Sequence, residues 1–307
     1  MIGMYAHHQG SGHLNRCRAI ARWLDDAVIL SSAPGADVSL PLDVGDDARD
    51  ATAGDTLHWA PLGVPGFTER MATIAAWIHE HRPAAFYVDT SVEVACFVRL
   101  LGIPVICVAM PGHRVDAPHQ LAYSQASALI AAWPSALETP AHLRRFETKL
   151  HAVGGISQFE ADPSLLGSRG DEIVVLQGRG GGELLPQFAA QLPARVLGGQ
   201  NQVANPMPYL QGAGLVVAAA GQNSIADIAT AGAPAIIIPE ERPFGEQEAN
   251  ARALESLGLA TVVRDIPSDI PATLQAAREK TDWSAWQTVG AAERAARVIH
   301  EVAQCGQ

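Results

Sequence analysis

The stretch Gly221-Gln-Asn-Ser-Ile-Ala-Asp227 decides the fold of this chain. It is followed by the apolar run Ala233-Pro-Ala-Ile-Ile-Ile-Pro239 and then by Glu246-Gln-Glu-Ala-Asn-Ala251. The pattern predicts a glycine turn, a short helix, a buried strand, and a second helix that opens with polar residues. Turns of this kind lie at the C-terminal edge of parallel strands, where open α/β sheets bind their ligands.

The polar residues of these turns indicate the class of ligand. Gly221 and the helix N-terminus that follows it offer free N–H groups to an anion. Asp227 is placed to accept hydrogen bonds from a pair of vicinal hydroxyls, as on a ribose. Further hydroxyls can be bound by Glu246, Gln247 and Asn250. Phosphate, ribose and sugar together predict a nucleotide-sugar site.

Composition and charge narrow the class of protein. The 307 residues suggest about two domains. A hydrophobic content of 48%, with 28 Gly and 20 Pro, is typical of an α/β protein with many tight turns. The formal net charge of −11 argues against a nucleic-acid partner, which would require clustered Lys and Arg.

The four cysteines lack CxxC spacing and are interpreted as reduced thiols of a cytoplasmic protein. The N-terminal residues lack the basic and long apolar regions of a secretory signal. No apolar run approaches the roughly 20 residues of a membrane span, so no transmembrane segment is expected. Peripheral contact with a membrane is left open.

Both halves alternate short apolar runs with helical patterns, which predicts parallel βαβ units and two doubly wound sheets. The boundary is placed near the two glycines after His151-Ala-Val, giving domains at residues 1–153 and 154–307. Predicted strands are Ile2–Ala6, Ala27–Leu30, Leu57–Trp59, Ala85–Val88, Pro104–Ala109, Leu129–Ala132, Ile173–Gln177, Arg195–Leu197, Leu215–Ala218, Ala235–Ile238 and Ala260–Val263. Predicted helices are His13–Leu24, Phe67–His81, Val92–Leu101, Glu183–Gln191, Ser224–Ala231, Glu246–Ser256, Pro271–Lys280 and Ala291–Val302.

A candidate general base follows the first predicted strand. Gly10-Ser-Gly12-His13 opens the first helix, and its glycines allow close approach of backbone to a phosphate or sugar. An imidazole suits the deprotonation of a hydroxyl, although His13 can equally be a packed side chain. Asp89 ends a strand at the same sheet edge and can orient that imidazole, or it can simply precede a helix cap. His7 and His8 lack the spacing of a metal cluster, so no metal is expected.

Two further loops carry polar groups. Gln177-Gly-Arg179-Gly180-Gly181-Gly-Glu183 is a glycine-rich turn whose N–H groups and Arg179 can hold a diphosphate. It has neither the ending of a Walker loop nor the dinucleotide fingerprint. The segment Pro111–His119 is interpreted as a polar loop. Its His113, Arg114 and His119 either line the acceptor side of a cleft or belong to a salt-bridged surface loop.

The block from Val217 to Ala251 resembles the C-terminal domain of GT-B glycosyltransferases, and it is most similar to the group that contains the peptidoglycan lipid II N-acetylglucosaminyltransferase. Gly10–His13 is similar to the glycine–histidine loop of that group, and Gln177–Gly182 occupies the place of its second glycine loop. The resemblance implies two Rossmann-like domains, with the acceptor bound by the first and the donor by the second. It also implies that the last helix, about residues 288–307, packs back on the first domain.

The resemblance implies roles for individual residues. His13 takes the place of the base, and Asp227 that of the acidic residue on the ribose. Gln222, Asn223 and Ser224 take the phosphate-facing turn, and Gly12 is also assigned to donor binding. The place of the acidic–Gln pair on sugar hydroxyls falls to Glu246 and Gln247. Such enzymes need no metal or other cofactor, because backbone amides hold the diphosphate and the nucleotide-sugar is a co-substrate. Location at the inner membrane face is also consistent with this group.

The sequence therefore predicts an inverting, metal-independent transferase that uses a nucleotide-sugar, with uracil as the expected base. The pattern Gly12-His13-x-x-Arg16-Cys17 also resembles nucleotide-sugar hydrolases of the same fold, in which water is the acceptor. A hydrolysing 2-epimerase and a non-catalytic nucleotide-sugar sensor are also compatible with these motifs. The sugar, the acceptor and the oligomeric state are not specified by the sequence.

Overall fold

The computed structural model describes residues 1–165, 169–178 and 182–305, and it contains two parallel sheets. The first sheet has the strand order β3-β2-β1-β4-β5-β6-β7, so successive strands are added on one side of β1 up to β3 and on its other side from β4 onward. Gly3 lies in the middle of β1, where a Cβ atom would come within 2.4 Å of the Phe86 ring on the adjacent strand. Only glycine fits there. The strands are β1 (Ile2–Ala6), β2 (Ala27–Ser31), β3 (Val38–Ser39), β4 (Ala85–Asp89), β5 (Val105–Ala109), β6 (Ala128–Ala131) and β7 (Leu150–Ala152).

Helices cover both faces of the first sheet, as expected for strands that are apolar along their whole length. The long second helix begins at a proline, whose fixed φ suits the first helical turn. The fourth helix is capped by Asp116, whose side chain accepts a hydrogen bond from the His119 N–H. These helices are α1 (Gly12–Ala21), α2 (Pro65–His81), α3 (Val92–Leu100) and α4 (Ala117–Gln125), with a 3-10 segment at Ala141–Lys149.

The second sheet is also fully parallel, with the order β12-β11-β10-β8-β9. The strands are β8 (Ile173–Gln177), β9 (Ala194–Gly198), β10 (Leu215–Ala219), β11 (Ala235–Ile238) and β12 (Thr261–Val262). The helices that follow are α5 (Leu184–Ala189), α6 (Met207–Gly212), α7 (Gln222–Ala231), α8 (Glu246–Ser256), α9 (Ile270–Arg278) and α10 (Ala291–Cys305). Short 3-10 segments lie at Pro163–Leu165, Pro243–Gly245 and Ser284–Trp286.

The last helix, α10, leaves the second sheet and packs on the first. Its buried face includes Ala295 and Ile299, which share one apolar core with Met4 of β1 and Tyr87 of β4. Arg294 near its start donates hydrogen bonds from Nε and Nη2 to the Val153 carbonyl, at 2.9 and 2.7 Å. The end of the chain is thus attached to the first domain.

The predicted doubly wound α/β architecture is confirmed, but two local predictions need correction and two elements were missed. Leu57–Trp59 is not a strand: it is a bend whose His58 and Trp59 N–H groups both donate to the Glu93 carboxylate, at 2.7 and 2.9 Å. A carboxylate thus replaces the neighbouring strand as hydrogen-bond partner. The polar segment that ends at His119 is only partly a loop, because α4 begins at Ala117. The strand β3 and the helix α6 were not predicted.

No helix among residues 1–165, 169–178 and 182–305 is both long enough and apolar enough to cross a bilayer. The burial of α10 on the first sheet leads to a stability prediction.

Replacing Ile299 with Ala should lower the free energy of unfolding by about 2–5 kcal/mol, because Ile299 is fully buried between α10 and the first sheet and a cavity would remain. Glu301→Ala on the exposed face of the same helix is the matched control and should change it by less than about 0.5 kcal/mol. Urea unfolding followed by circular dichroism measures both. Equal midpoints for the two variants would contradict the observed packing of α10.

Candidate active site between the two sheets

The first sheet presents a histidine–aspartate pair at its C-terminal edge. His13 lies in the first turn of α1, and Asp89 is the last residue of the adjacent strand β4. The His13 Nδ1 atom lies 2.7 Å from Asp89 Oδ1, and the aspartate side chain is completely buried. Because an ionised carboxylate only accepts hydrogen bonds, Nδ1 carries the proton of the neutral ring. The structure thus brings the two predicted residues together and leaves Nε2 as the basic nitrogen.

Asp89 is kept ionised by three other donors. Arg16 donates from Nε to Oδ2 at 2.7 Å and from Nη2 to Oδ1 at 2.9 Å, and the Tyr87 hydroxyl donates to Oδ2 at 3.1 Å. Burial alone would raise the pKa of Asp89, but the Arg16 charge and the hydrogen bonds from His13 and Arg16 hold it well below its usual range. Neither Arg16 nor Tyr87 was assigned a role from the sequence, although the i, i+3 spacing of His13 and Arg16 places them on one helix face.

Backbone strain occurs beside this pair. Thr90 has a φ of +66°, which a β-branched residue rarely adopts, and it forms the turn between β4 and α3. Ser91 then caps α3 by accepting a hydrogen bond from the Val94 N–H. Strained residues of this kind cluster at functional sites, where the surrounding structure holds them in place. Here the turn places the Thr90 hydroxyl 3.4 Å from His13 Nδ1.

The second sheet presents the glycine turn directly opposite His13. Gly221 precedes α7, whose N-terminus has no side-chain cap among the described residues. A Cβ atom on Gly12 would lie only 2.5 Å from the Asn223 side-chain nitrogen, so the two turns touch across the cleft. The Gln222 side-chain oxygen accepts a hydrogen bond from Arg16 Nη1 at 3.1 Å. The predicted phosphate-binding turn, with Ser224 half-buried beside it, therefore faces the predicted base.

Asp227 lies one turn further along α7. Its Oδ1 accepts a hydrogen bond from the Ser157 hydroxyl at 2.6 Å. Burial raises the pKa of Asp227 to about 7, and the hydrogen bond from Ser157 opposes that shift. Ser157 lies in the connection between β7 of the first sheet and β8 of the second. No sequence pattern indicates this pairing, because the two residues are far apart in the chain.

The side-chain amides of Gln247 and Asn250, both on α8, bind the backbone just before the glycine turn at Gly221. We call this turn the donor turn. The Gln247 side-chain oxygen accepts hydrogen bonds from the N–H groups of Ala220 and Glu240, at 3.1 and 2.9 Å. Asn250 donates to the Ala220 carbonyl at 2.8 Å. The observed contacts of these two buried amides are thus with the backbone that ends β10 and β11. Their contact with a sugar stays a prediction.

Glu246 pairs with the first domain. Its Oε2 accepts a hydrogen bond from Arg114 Nη2 at 2.9 Å, and the buried Arg114 guanidinium also lies 4.6 Å from the centroid of the Phe244 ring. The His113 N–H donates to the Phe244 carbonyl at 2.7 Å. We call this contact between residues 111–119 and 243–246 the interdomain latch. It closes one side of the cleft and engages two of the residues predicted for the acceptor side.

The latch continues into a histidine cluster that could be mistaken for a metal site. Among the described residues, His58, Asp116 and His119 place three ligand atoms within 4.8 Å of one another. However, Arg114 Nη1 lies 3.0 Å from His119 Nε2, and a guanidinium can only donate. Burial, followed by the Arg114 charge, lowers the pKa of His119 to about 4, so its ring is neutral. The proton then lies on Nδ1, which donates to Asp116 at 2.8 Å and cannot bind a cation.

The second glycine loop is described only at its end. Arg179, Gly180 and Gly181, which were predicted to hold a diphosphate, lie outside the described residues. At Gly182 a Cβ atom would come within 2.1 Å of the Glu240 carboxylate, so a larger residue does not fit without rearrangement. Glu240, which the sequence did not identify, pairs with Arg242 at 2.8 Å.

The raised pKa of Asp227 predicts a pH-dependent stability. Its carboxyl group has an ordinary pKa of 3.8 and a folded pKa of about 7, so the folded state loses stability as the pH rises from about 4 to 7. Asp227→Asn should therefore raise the free energy of unfolding by on the order of 1 kcal/mol at pH 8 and change it little at pH 4. Thermal unfolding at both pH values measures this difference.

Asp265→Asn, at an exposed position, is the control and should show no such pH-dependent difference. An Asp227→Asn variant that is no more stable than the wild type at pH 8 would contradict the assignment of a buried, destabilised carboxylate.

Comparisons with known proteins bear on the second domain and on the fold of the chain. The family model of the glycosyltransferase family 28 C-terminal domain matches residues 182–300. No curated protein matches the chain by sequence.

Solved structures with the same fold extend over nearly the whole chain. MurG from Acinetobacter baumannii superposes with a TM-score of 0.63 at 16% identity, covering 98% of this chain and 99% of its own. The spinosyn rhamnosyltransferase SpnG gives a TM-score of 0.55 at 15% identity, with 98% and 96% covered. Phytolacca americana UGT2 gives a TM-score of 0.57 at 15% identity, with 99% and 93% covered. Residues 182–300 therefore resemble the C-terminal domain of glycosyltransferase family 28, and the chain as a whole has the GT-B fold of these solved structures.

Proposed function

We propose that this protein is an inverting, metal-independent glycosyltransferase, which moves a sugar from a nucleotide-sugar to an acceptor hydroxyl with His13 as the general base. The observation that carries the proposal is the position of the His13–Asp89 pair, directly across the cleft from the uncapped N-terminus of α7. A base and an anion-binding helix end that face each other are the two parts that such a transfer requires.

In the proposed reaction, Nε2 of His13 takes the proton of the acceptor hydroxyl. The acceptor oxygen attacks the anomeric carbon from the face opposite the nucleotide. The bond between that carbon and the diphosphate oxygen breaks, and its electron pair leaves with the nucleoside diphosphate. Asp89 holds the ring through Nδ1 and stabilises the imidazolium that forms. Closure of the cleft aligns the two substrates and excludes water.

The donor is proposed to bind the second domain, residues 154–307, and the acceptor the first, residues 1–153. The N-terminus of α7 would hold the diphosphate, together with Arg179, Gly180 and Gly181. Asp227 would accept hydrogen bonds from the ribose hydroxyls, and a sugar hydroxyl would compete with Arg114 for Glu246.

Uracil is the proposed base of the donor nucleotide. Two structures of the same fold are described as complexes with UDP-2fluoro-glucose and with UDP, and a third as a complex with thymidine diphosphate. These similarities, all at 17% identity or below, support a pyrimidine nucleotide as the first ligand to be tried.

Metal independence is supported by the chemistry of the described donors. A helix N-terminus neutralises a diphosphate through backbone N–H groups, so the leaving group has a stabilising partner without a cation. In the His58–Asp116–His119 cluster, Arg114 donates to His119 Nε2 and His119 Nδ1 donates to Asp116, so neither ring nitrogen of His119 is available to a metal. The cytoplasmic location and any contact with a membrane stay predictions of the sequence.

Donor binding and nucleotide release test the proposal. UDP or a UDP-sugar should raise the melting temperature of the protein, because ligand binding to the folded state stabilises it. His13→Ala should keep that stabilisation but lose about 10²- to 10⁴-fold in the rate of sugar transfer, the usual contribution of a general base. Melting curves with UDP, GDP and TDP, followed by an assay of nucleotide release with and without candidate acceptors, measure both effects.

The exposed His79→Ala is the matched control and should behave like the wild type. Fast release without an acceptor that disappears in His13→Ala would identify a hydrolase instead of a transferase. Near-normal transfer by a folded His13→Ala variant would remove the base assignment, and no stabilisation by any nucleotide would remove the donor site.

The stereochemistry of the product is a separate prediction. A single displacement inverts the anomeric centre, so an α-linked donor should give a β-linked product. The coupling constant of the anomeric proton, measured by NMR on the first product formed, decides this point. Retention of the donor configuration would rule out the single displacement whatever the role of His13.

A further inference from the structure

Arg16 has contacts on both sides of the cleft. It lies on α1 one turn after His13, and only 3% of its surface is exposed. Two of its nitrogens donate to Asp89 of the first sheet, and a third donates to Gln222 of the second. A guanidinium is planar and rigid, so these hydrogen bonds fix one orientation of the side chain. The position of the donor turn is thereby linked to the orientation of the catalytic pair.

The side-chain amide of Gln222 has a partner for its oxygen but none, among the described residues, for its nitrogen. Its side-chain oxygen accepts from Arg16, and this fixes the orientation of the amide. Its Nε2 is buried and has no hydrogen-bond partner among the described residues. A buried amide donor without a partner costs stability, so it points to an acceptor atom on a ligand. An oxygen of the donor substrate, on the diphosphate or on the sugar, would supply that acceptor.

We propose that Arg16 is a positioning residue that couples occupancy of the donor turn to the state of the His13–Asp89 pair through Gln222. The inference rests on the proposed function, because it gives Asp89 and His13 their catalytic meaning. When the donor binds Gln222 Nε2, the amide is held in place and its oxygen stays on Arg16. Arg16 then keeps both of its hydrogen bonds on Asp89, and Asp89 keeps the His13 ring aligned.

Electrostatics gives this link a measurable consequence. Asp89 carries the negative charge that would stabilise a protonated His13, and Arg16 offsets it at hydrogen-bond distance. If the hydrogen bonds from Arg16 to Asp89 weaken, the negative charge of Asp89 is less compensated. That charge then stabilises the imidazolium of His13 more strongly, so His13 takes up a proton more readily. The other titratable groups around the pair are the Tyr87 hydroxyl, the Cys17 thiol and the His7 ring, whose centroid lies 5.9 Å from that of His13.

A purely structural role for Arg16 makes a different prediction. If Arg16 only neutralises a buried carboxylate, changes at Gln222 should not reach His13, because Gln222 is uncharged and belongs to the other domain. The decisive variant is therefore Gln222→Met, which keeps the length of the side chain and removes both polar groups. Both Arg16 and Asp89 stay in the chain, so the buried carboxylate keeps its counter-charge and the first domain should still fold.

The first experiment follows the imidazole of His13 by NMR in the full chain with isotope-labelled histidine, assigned by comparison with His13→Gln. In Arg16→Met the titration midpoint of His13 should move to higher pH by about one unit, since the charge of Asp89 is no longer offset. Arg16→Lys keeps the charge but loses the planar pair of hydrogen bonds, and it should give an intermediate shift. In Gln222→Met the midpoint should move in the same direction, and the double variant Arg16→Met, Gln222→Met should shift no further than Arg16→Met alone.

Arg18→Met is the matched control, because Arg18 lies on the same helix and donates to the Gly35 carbonyl at the surface. It should leave the His13 midpoint unchanged. If Arg16→Met does not fold, the shifts in Gln222→Met and Arg16→Lys still decide the question. A His13 midpoint in Gln222→Met equal to that of the wild type would overturn the coupling, and so would shifts that simply add in the double variant.

The second experiment adds UDP and measures the same signals. In the wild type, saturating UDP should change the His13 signals, and in Gln222→Met this response should be lost although UDP still raises the melting temperature. An unchanged response in Gln222→Met would overturn the inference while leaving the proposed function intact. If UDP raises the melting temperature of neither the wild type nor any variant, the proposed function is overturned instead. The titrations without ligand would then still test the link between Arg16 and Gln222.

Discussion

The buried negative charge of Asp89 organises the cleft. The Asp89 carboxylate has no contact with solvent, so it must be fully hydrogen-bonded if it is to stay ionised. Its donors come from α1, through His13 and Arg16, and from its own strand, through Tyr87. The need to satisfy that charge therefore positions the helix against the sheet and, through Arg16, brings a residue of the second domain into contact. The arrangement of the cleft follows from a local requirement for hydrogen-bond donors.

Much of the fold was predictable from the sequence because its elements depend on short-range patterns. Ile173–Gln177, Ala235–Ile238 and Glu246–Ser256 have the predicted bounds, since each is an uninterrupted apolar strand or a helix that begins after a turn signal. Leu57–Trp59 was wrong because the partner of its backbone is Glu93, a side chain distant in sequence. Hydropathy reports which residues are buried, but it does not report which group accepts a given N–H.

The same distinction separates the predictable and unpredictable parts of the site. The types and approximate places of His13, Asp89 and the turn at Gly221 follow from strand ends and glycines, because parallel strands bring their C-terminal ends to one edge. The partners of Glu246 and Gln222 could not be inferred, since Arg114 and Arg16 are far away in the chain and only the closed arrangement of the domains brings them near. The sequence therefore predicted which groups bind a donor, and the structure adds the contacts that these groups make with the rest of the protein.

The return of α10 to the first domain limits how the cleft can open. The chain crosses between the domains twice, near Gly154 and near Gln287, and the two crossings are joined: the Gly155 N–H donates to the Trp286 carbonyl at 3.1 Å, and Arg294 donates to the carbonyls of Val153 and Gln287. Two adjacent connections act as a hinge with one axis, whereas a single flexible linker would let the domains tumble independently. We therefore expect any opening of the cleft to follow one path, along which closure brings Gly12 back beside Asn223.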